Sequence, residues 1–159
     1  MTSDTIIVLA GPSGSGKSTY ADKIAKERGF VVISPDECRK ELTGDASDQS
    51  KNAFIFNTLL PIRINGAHTQ GMGAIIDATS TTRKARKLLI DYAKVAGYTR
   101  IECHVVHADE ATCQARNAAR ERVVPQKIIS QQFARWQEPS IEEGFDQIVY
   151  AQSALLVEI

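Results

Sequence analysis

No apolar run in this sequence approaches the roughly eighteen residues that a membrane-spanning helix needs. The first residues carry no basic segment followed by a long apolar stretch, so no secretion leader is expected. Cysteine is scarce. Cys38, Cys103 and Cys113 are an odd number without paired spacing, which argues against a disulfide framework and for a reducing, cytoplasmic compartment. Nor do they combine with His68, His104 and His107 at zinc-binding spacing, and no such site is expected. An excess of either charge is also missing. The 19 Lys and Arg balance 19 Asp and Glu, which excludes a protein that coats long nucleic acid electrostatically, though not one that grips a strand end. No repeat, low-complexity tract or long linker divides the 159 residues, so a single domain spanning 1–159 with a sizeable core is predicted.

Strand and helix patterns alternate along the chain. Strand signals fall at 6–10, 30–33, 73–76 and 101–106, with a weaker one at 148–150. Helical patterns cover 18–28, 35–42, 50–70 with interruptions at Pro61 and Gly66, 82–96, 110–122 and 125–136. Ser34 is placed to cap the second of these, with Pro35 at its first helical position. The polar stretch 43–50 is expected to be a loop, and Phe133, Trp136 and Phe145 to be packing aromatics. Such alternation predicts an α/β fold with a parallel sheet of about five strands flanked by helices. Ligands of such sheets gather outside the carboxyl ends of the strands.

Between the first strand and the first helix lies GPSGSGKST, Gly11 to Thr19. Gly11, Gly16, Lys17 and Ser18 satisfy the G-x-x-x-x-G-K-S spacing of a phosphate-binding loop. Backbone N–H groups from Gly11 through Ser13, Gly14, Ser15 and Gly16 to Thr19 can turn inward as an anion cradle, reinforced by the positive end of the helix. Lys17 is placed to reach the β- and γ-phosphates, and the Ser18 hydroxyl to ligate Mg²⁺. A nucleoside triphosphate, with ATP and Mg²⁺ the expected pair, is therefore predicted as ligand.

Two aspartates follow strand ends. Asp36 is a candidate general base for a hydroxyl attacking a γ-phosphoryl group, or simply an acid in a first helical turn. Arg39, three residues on, lies on the same helix face; it either holds a substrate phosphate or is a solvated arginine. Asp77 ends an apolar run, as residues that orient Mg²⁺ do, although it also precedes a helix that Thr79 to Thr82 could cap. Arg116 and Arg120 are four apart, so a helix over 110–122 would project both from one face as a phosphate-clamping lid, with Arg122 nearby. Two basic clusters result: Arg83, Lys84, Arg86 and Lys87, and Arg116, Arg120, Arg122 and Lys127. The turn segment EPSIEEGF at 138–145 carries no derivable role.

Taken in order, GPSGSGKST, ISPDECR, IIDATSTTRKAR, RNAARERVVP and WQEPSIEEGFDQI resemble the 5′-hydroxyl polynucleotide kinases. The resemblance implies a kinase that moves the ATP γ-phosphoryl group to a 5′-hydroxyl end of RNA or DNA. By it, Lys17 and Ser18 match the phosphate and Mg²⁺ residues, and Asp36 the general base. Arg39 matches the arginine at the phosphate beside the acceptor hydroxyl. Arg116 and Arg120 match the lid arginines, and Arg122 matches more loosely. Asp77 and Thr79 match a D-x-T-N segment in which Ser80 replaces the asparagine, and Pro35 replaces a polar or basic residue. With no D-x-D-G-T phosphatase motif and no ligase lysine motif, a stand-alone kinase is expected. A small-molecule kinase on the same scaffold, phosphorylating a sugar, nucleoside or antibiotic hydroxyl, is the alternative. A non-catalytic nucleotide switch fits less well, since it needs neither Asp36 nor a lid.

Overall fold

A computed structural model describes residues 3–120 and 123–152. Five strands form one parallel sheet: β1 Thr5–Ala10, β2 Val31–Ile33, β3 Ala74–Ile76, β4 Arg100–His107 and β5 Gln147–Gln152. Their spatial order is β2-β3-β1-β4-β5, with Val8 of β1 opposite both Ile76 and Cys103. Residues Ile6 to Ala10 are wholly buried, as expected of a central strand covered on both faces. Ile6, Val8 and Ala10 belong to a core with Ile64, Leu89, Ile90 and Ala93, whereas Ile7 and Leu9 join Tyr20, Ala21 and Ile24 on the opposite face. Each large aliphatic side chain buried this way contributes roughly 1.5–3 kcal/mol.

The helices are α1 Lys17–Arg28, α2 Pro35–Thr43, the single turn α3 Asn52–Phe54, α4 Leu60–Thr69, α5 Arg83–Ala96, α6 Glu110–Ala118 and α7 Gln126–Arg135. Ser34 caps α2 through Glu37 N, Thr82 caps α5 through Ala85 N, and Asp109 caps α6 through Thr112 N. Gly29 and Gly97 end α1 and α5 in left-handed conformation. Among the described residues no helix is long and apolar enough to cross a membrane.

The α/β architecture and strand count agree with the pattern in the sequence, and three local expectations are corrected. Gly66 does not interrupt α4. Pro61 causes no break either: it opens α4 directly after a π-helical turn, Ile55–Leu59, whose wider ring accommodates the missing N–H. Finally, α6 stops at Ala118 rather than continuing to 122. The buried Asn117 accounts for this: its Nδ2 donates to Val124 O (2.5 Å) and its Oδ1 accepts from Val124 N (2.8 Å). That pair folds the chain back toward α7 and ends the helix. Arg120 therefore sits in the turn beyond α6, and Arg122 lies outside the described residues.

Candidate active site

The carboxyl ends of β1, β2 and β3 open on one edge, where they deliver the phosphate loop, Asp36 and Asp77. The loop is shaped by close backbone approaches. A side chain at Gly11 would come within 2.1 Å of the Val106 carbonyl. Gly14 has φ 83, and a Cβ there would meet the Cys113 carbonyl of α6 at 2.4 Å. Only glycine satisfies both positions. Gly16, at φ 98, turns the chain into α1. Ser15 is wholly buried, and its hydroxyl has no hydrogen-bond partner among the described residues. Thr19, at the first turn of α1, is exposed and lines the cavity.

Lys17 is buried, and its Nζ donates to Pro12 O at 3.0 Å. Burial pushes its pKa below the ordinary 10.5, against the opposing pull of Asp77 and Asp36. The same burial pushes the Asp77 carboxyl up, against the stabilising effects of Lys17 and of a hydrogen bond from Ser18. Ser18 Oγ donates to Asp77 Oδ2 at 2.8 Å. A hydroxyl and a carboxylate side by side are hard oxygen ligands, a donor set that fits Mg²⁺. Among the described residues no group of three or more His, Cys, Asp or Glu could hold a metal ion. Ser18 and Asp77 would thus hold Mg²⁺ only together with phosphate oxygens and water.

Asp36 stands in the first turn of α2, its Oδ1 accepting from Arg39 Nη1 at 2.5 Å. The pair is asymmetric, with the arginine side chain 10% exposed and the aspartate 47%. Arg39 Nε donates to Asn52 Oδ1 at 2.7 Å, so the guanidinium is fixed from behind while Asp36 faces the opening. Arg116 Nη1 reaches Ser15 O at 3.3 Å, docking α6 onto the phosphate loop. Arg120 lines the same cavity, and its charge acts on Lys17. The cavity, of about 520 Å³, therefore gathers the phosphate loop, Asp36, Arg39, Asp77, Arg116 and Arg120.

Several contributors were not evident from the sequence. Gln132 of α7 holds the phosphate loop: its Oε1 accepts from Ser13 N (2.8 Å) and its Nε2 donates to Ser13 Oγ (3.1 Å). The spacing of Ile128 and Gln132, four apart and both lining the cavity, was the available signal. Gln49 and Phe56 also line the cavity, from a stretch that offered no motif. Arg86 was grouped in one basic cluster with Arg83, Lys84 and Lys87, yet it is wholly buried. His104 is buried between Tyr20 and Glu102, and His68 contacts Asp4.

The chain matches the AAA domain family over residues 6–139. Among solved structures it is similar to a gluconokinase from Sinorhizobium meliloti 1021 (TM-score 0.62, 20% identity, covering 100% of this chain and 89% of that one). It is also similar to Chaetomium thermophilum Kti12 in complex with ADP-AlF3 (TM-score 0.69, 15% identity, 97% and 94% covered). A third is a chain of the Pnkp1/Rnl/Hen1 RNA repair complex (TM-score 0.71, 18% identity), of which 85% of this chain matches only 44%. The five-stranded parallel sheet with its phosphate loop is thus the fold of P-loop kinases.

Proposed function

Because the chain belongs to the AAA domain family and sets a carboxylate–guanidinium pair in the same cavity as its phosphate loop, we propose that it is an ATP-dependent kinase with an alcohol acceptor. On this reading Lys17 and the loop amides hold the ATP phosphates. As the acceptor oxygen bonds to the γ-phosphorus, the bond to the ADP oxygen breaks and the acceptor proton passes to Asp36. Arg116 and Arg120 offset charge spread over the transferring group. Mg²⁺, held by Ser18 and Asp77, would neutralise the β- and γ-phosphate oxygens. The neighbour solved with ADP-AlF3 supports the nucleotide assignment.

We further infer that the acceptor is a 5′-hydroxyl end of RNA or DNA. The observation that carries this is Arg39, a nearly buried guanidinium fixed beside the candidate base. Such a cation, next to the attacking hydroxyl, suits an acceptor with an anionic group close by, as the phosphate between the first two nucleotides would be. The likeness to a chain of an RNA repair complex points the same way. One observation favours a small acidic acceptor instead. Beyond Asp36 the opening is rimmed by Asp22, Glu37 and Asp45, opposed by Lys40 and Arg120. That rim disfavours a long polyanion crossing it and suits a compact anionic acceptor of the kind a gluconokinase handles.

Labelled ATP with a panel of 5′-hydroxyl oligonucleotides, nucleoside 3′-phosphates and gluconate-type sugar acids tests both readings. Label should enter the oligonucleotides and 3′-phosphates. Label in the sugar acids alone would overturn the polynucleotide assignment and keep the kinase. Label in none would remove the kinase reading.

A further inference from the structure

Arg86 is the largest fully buried side chain of the described residues, and its guanidinium is enclosed by acceptors. Its Nε and Nη2 donate to the two oxygens of Glu143 (2.8 and 3.3 Å), Nη1 donates to Ser80 O (2.9 Å), and Nη2 also to Gln137 O (2.8 Å). Glu143 is held in turn by Ser140 N at 2.7 Å, within the capping box of the turn Ile141–Glu143. Gln137 N bonds Thr81 O, and Gln137 Oε1 accepts from Arg83 N. The segment 137–143 is therefore laced onto the loop that follows β3.

That loop is strained where Arg86 holds it. Among the described residues Ser80 is the only non-glycine with positive φ, at 44, a conformation that a side chain with Cβ adopts at a cost. Ser80 is buried, and its hydroxyl has no hydrogen-bond partner among the described residues. The Arg86 guanidinium donates to the Ser80 carbonyl. The residues just before the turn face the site: Thr79 O accepts from Gly11 N at 2.9 Å, and Asp77 meets Ser18.

We propose that Arg86 and Glu143 are positioning residues that lock the left-handed turn at Ser80 and thereby aim Asp77 at Ser18, an inference that rests on the nucleotide-binding part of the reading above. Neither residue lines the cavity. They act through the carbonyl of Ser80, so a carboxylate 57 positions beyond Arg86 serves a loop to which it does not belong.

ADP titrated calorimetrically into the full chain, once with Mg²⁺ and once with EDTA, tests this without any acceptor. Glu143→Gln turns an amide N–H toward the guanidinium and should weaken ADP binding about tenfold with Mg²⁺, the scale of one lost charge-assisted contact. With EDTA the loss should stay below about twofold, because Asp77 then has no cation to hold. Arg86→Lys, which cannot reach Ser80 O and Glu143 together, should give the same divergence and is the variant to use if Glu143→Gln does not fold. Ser80→Ala should bind as wild type under both conditions, and Ser80→Gly added to Glu143→Gln should recover part of the Mg²⁺-dependent loss, since glycine adopts the turn unaided. Equal losses with Mg²⁺ and EDTA, or no loss, would overturn the proposal, as would a full loss in Ser80→Ala. A failure of phosphoryl transfer to every acceptor would leave this titration readable and count against the kinase reading alone.

Discussion

Replacing Asp36 by asparagine separates proton transfer from everything else this carboxylate does. The amide keeps an oxygen where Oδ1 now accepts from Arg39 Nη1, so the guanidinium, tied also to Asn52, should stay in place. On the proposed reading, what is lost is a site for the acceptor proton. Losing a general base lowers turnover by roughly two to four powers of ten, which at ~1.36 kcal/mol per power of ten is about 2.7–5.4 kcal/mol of barrier. Nucleotide binding should move the other way if it moves at all. Asp36 is one of the charges that hold Lys17 protonated, so its removal takes a negative charge from the neighbourhood of an anionic ligand. The expected signature is a kcat lowered by two to four powers of ten with a KM for ATP unchanged or slightly reduced, measured by initial rates with labelled ATP and a 5′-hydroxyl oligonucleotide. A variant that keeps more than about a tenth of wild-type kcat would refute the assignment of base. So would one whose defect lies mainly in the KM for ATP.

Arg120→Ala should lower kcat by up to roughly a thousandfold if the guanidinium acts on the transferring group, and Arg120→Lys should restore only part, because an ammonium cannot fork across two oxygens; initial rates decide, and full rescue by lysine would reduce the role to general positive charge. Tyr20→Phe removes the hydroxyl at 2.6 Å from His104 Nδ1 and leaves a buried ring nitrogen without its partner, which should cost about 1–3 kcal/mol in urea unfolding; a shift below about 0.3 kcal/mol would mean that the Tyr20–His104–Glu102 chain is not a stabilising network. All three cysteines are buried, and burial pushes the Cys103 thiol up to about 12, so at pH 8 only about one Cys103 in ten thousand carries a thiolate; mass spectrometry after alkylation should find Cys103 unmodified in the native protein and all three cysteines modified after unfolding.

The parts of the fold that were legible in the sequence are those set by neighbours along the chain. Apolar runs ending in GPSGSGKST, SPDECR and DATS marked three strand ends, and parallel topology does the rest by bringing such ends to one edge. Caps were legible for the same reason, as Ser34 illustrates. What escaped depends on contacts far apart in sequence. The end of α6 is set by Asn117 bonding a backbone seven residues ahead, which removes the four-residue helical spacing once expected of Arg116 and Arg120 while leaving both at the cavity. Arg86 lies among Arg83, Lys84 and Lys87 and reads as one more member of a basic cluster until Glu143 is found opposite it. EPSIEEGF lacked a role for the same reason: it supplies Glu143 to Arg86 and buries Phe145 in the core.

The same Arg39 guanidinium that would bind the acceptor's anion already holds Asp36, and this shared use leads to the sharpest prediction about the acceptor. Among the described residues two of its five N–H groups are engaged, one with Asp36 and one with Asn52. An anion arriving at the remaining donors would hold the acceptor hydroxyl beside Asp36, which raises the share of bound acceptor in an attacking geometry. A neutral alcohol brings no such change. Discrimination should therefore appear in kcat as well as in KM, with a nucleoside 3′-phosphate a far better acceptor than the same nucleoside without its phosphate. Arg39→Ala should erase most of that difference, about 1.5–3 kcal/mol for a charge-assisted contact, while changing little for the bare nucleoside. Initial rates with the two acceptors and the two proteins form a complete cycle. Equal use of both acceptors by the wild-type enzyme would exclude a phosphate beside the hydroxyl as the recognised group, and with it the polynucleotide end.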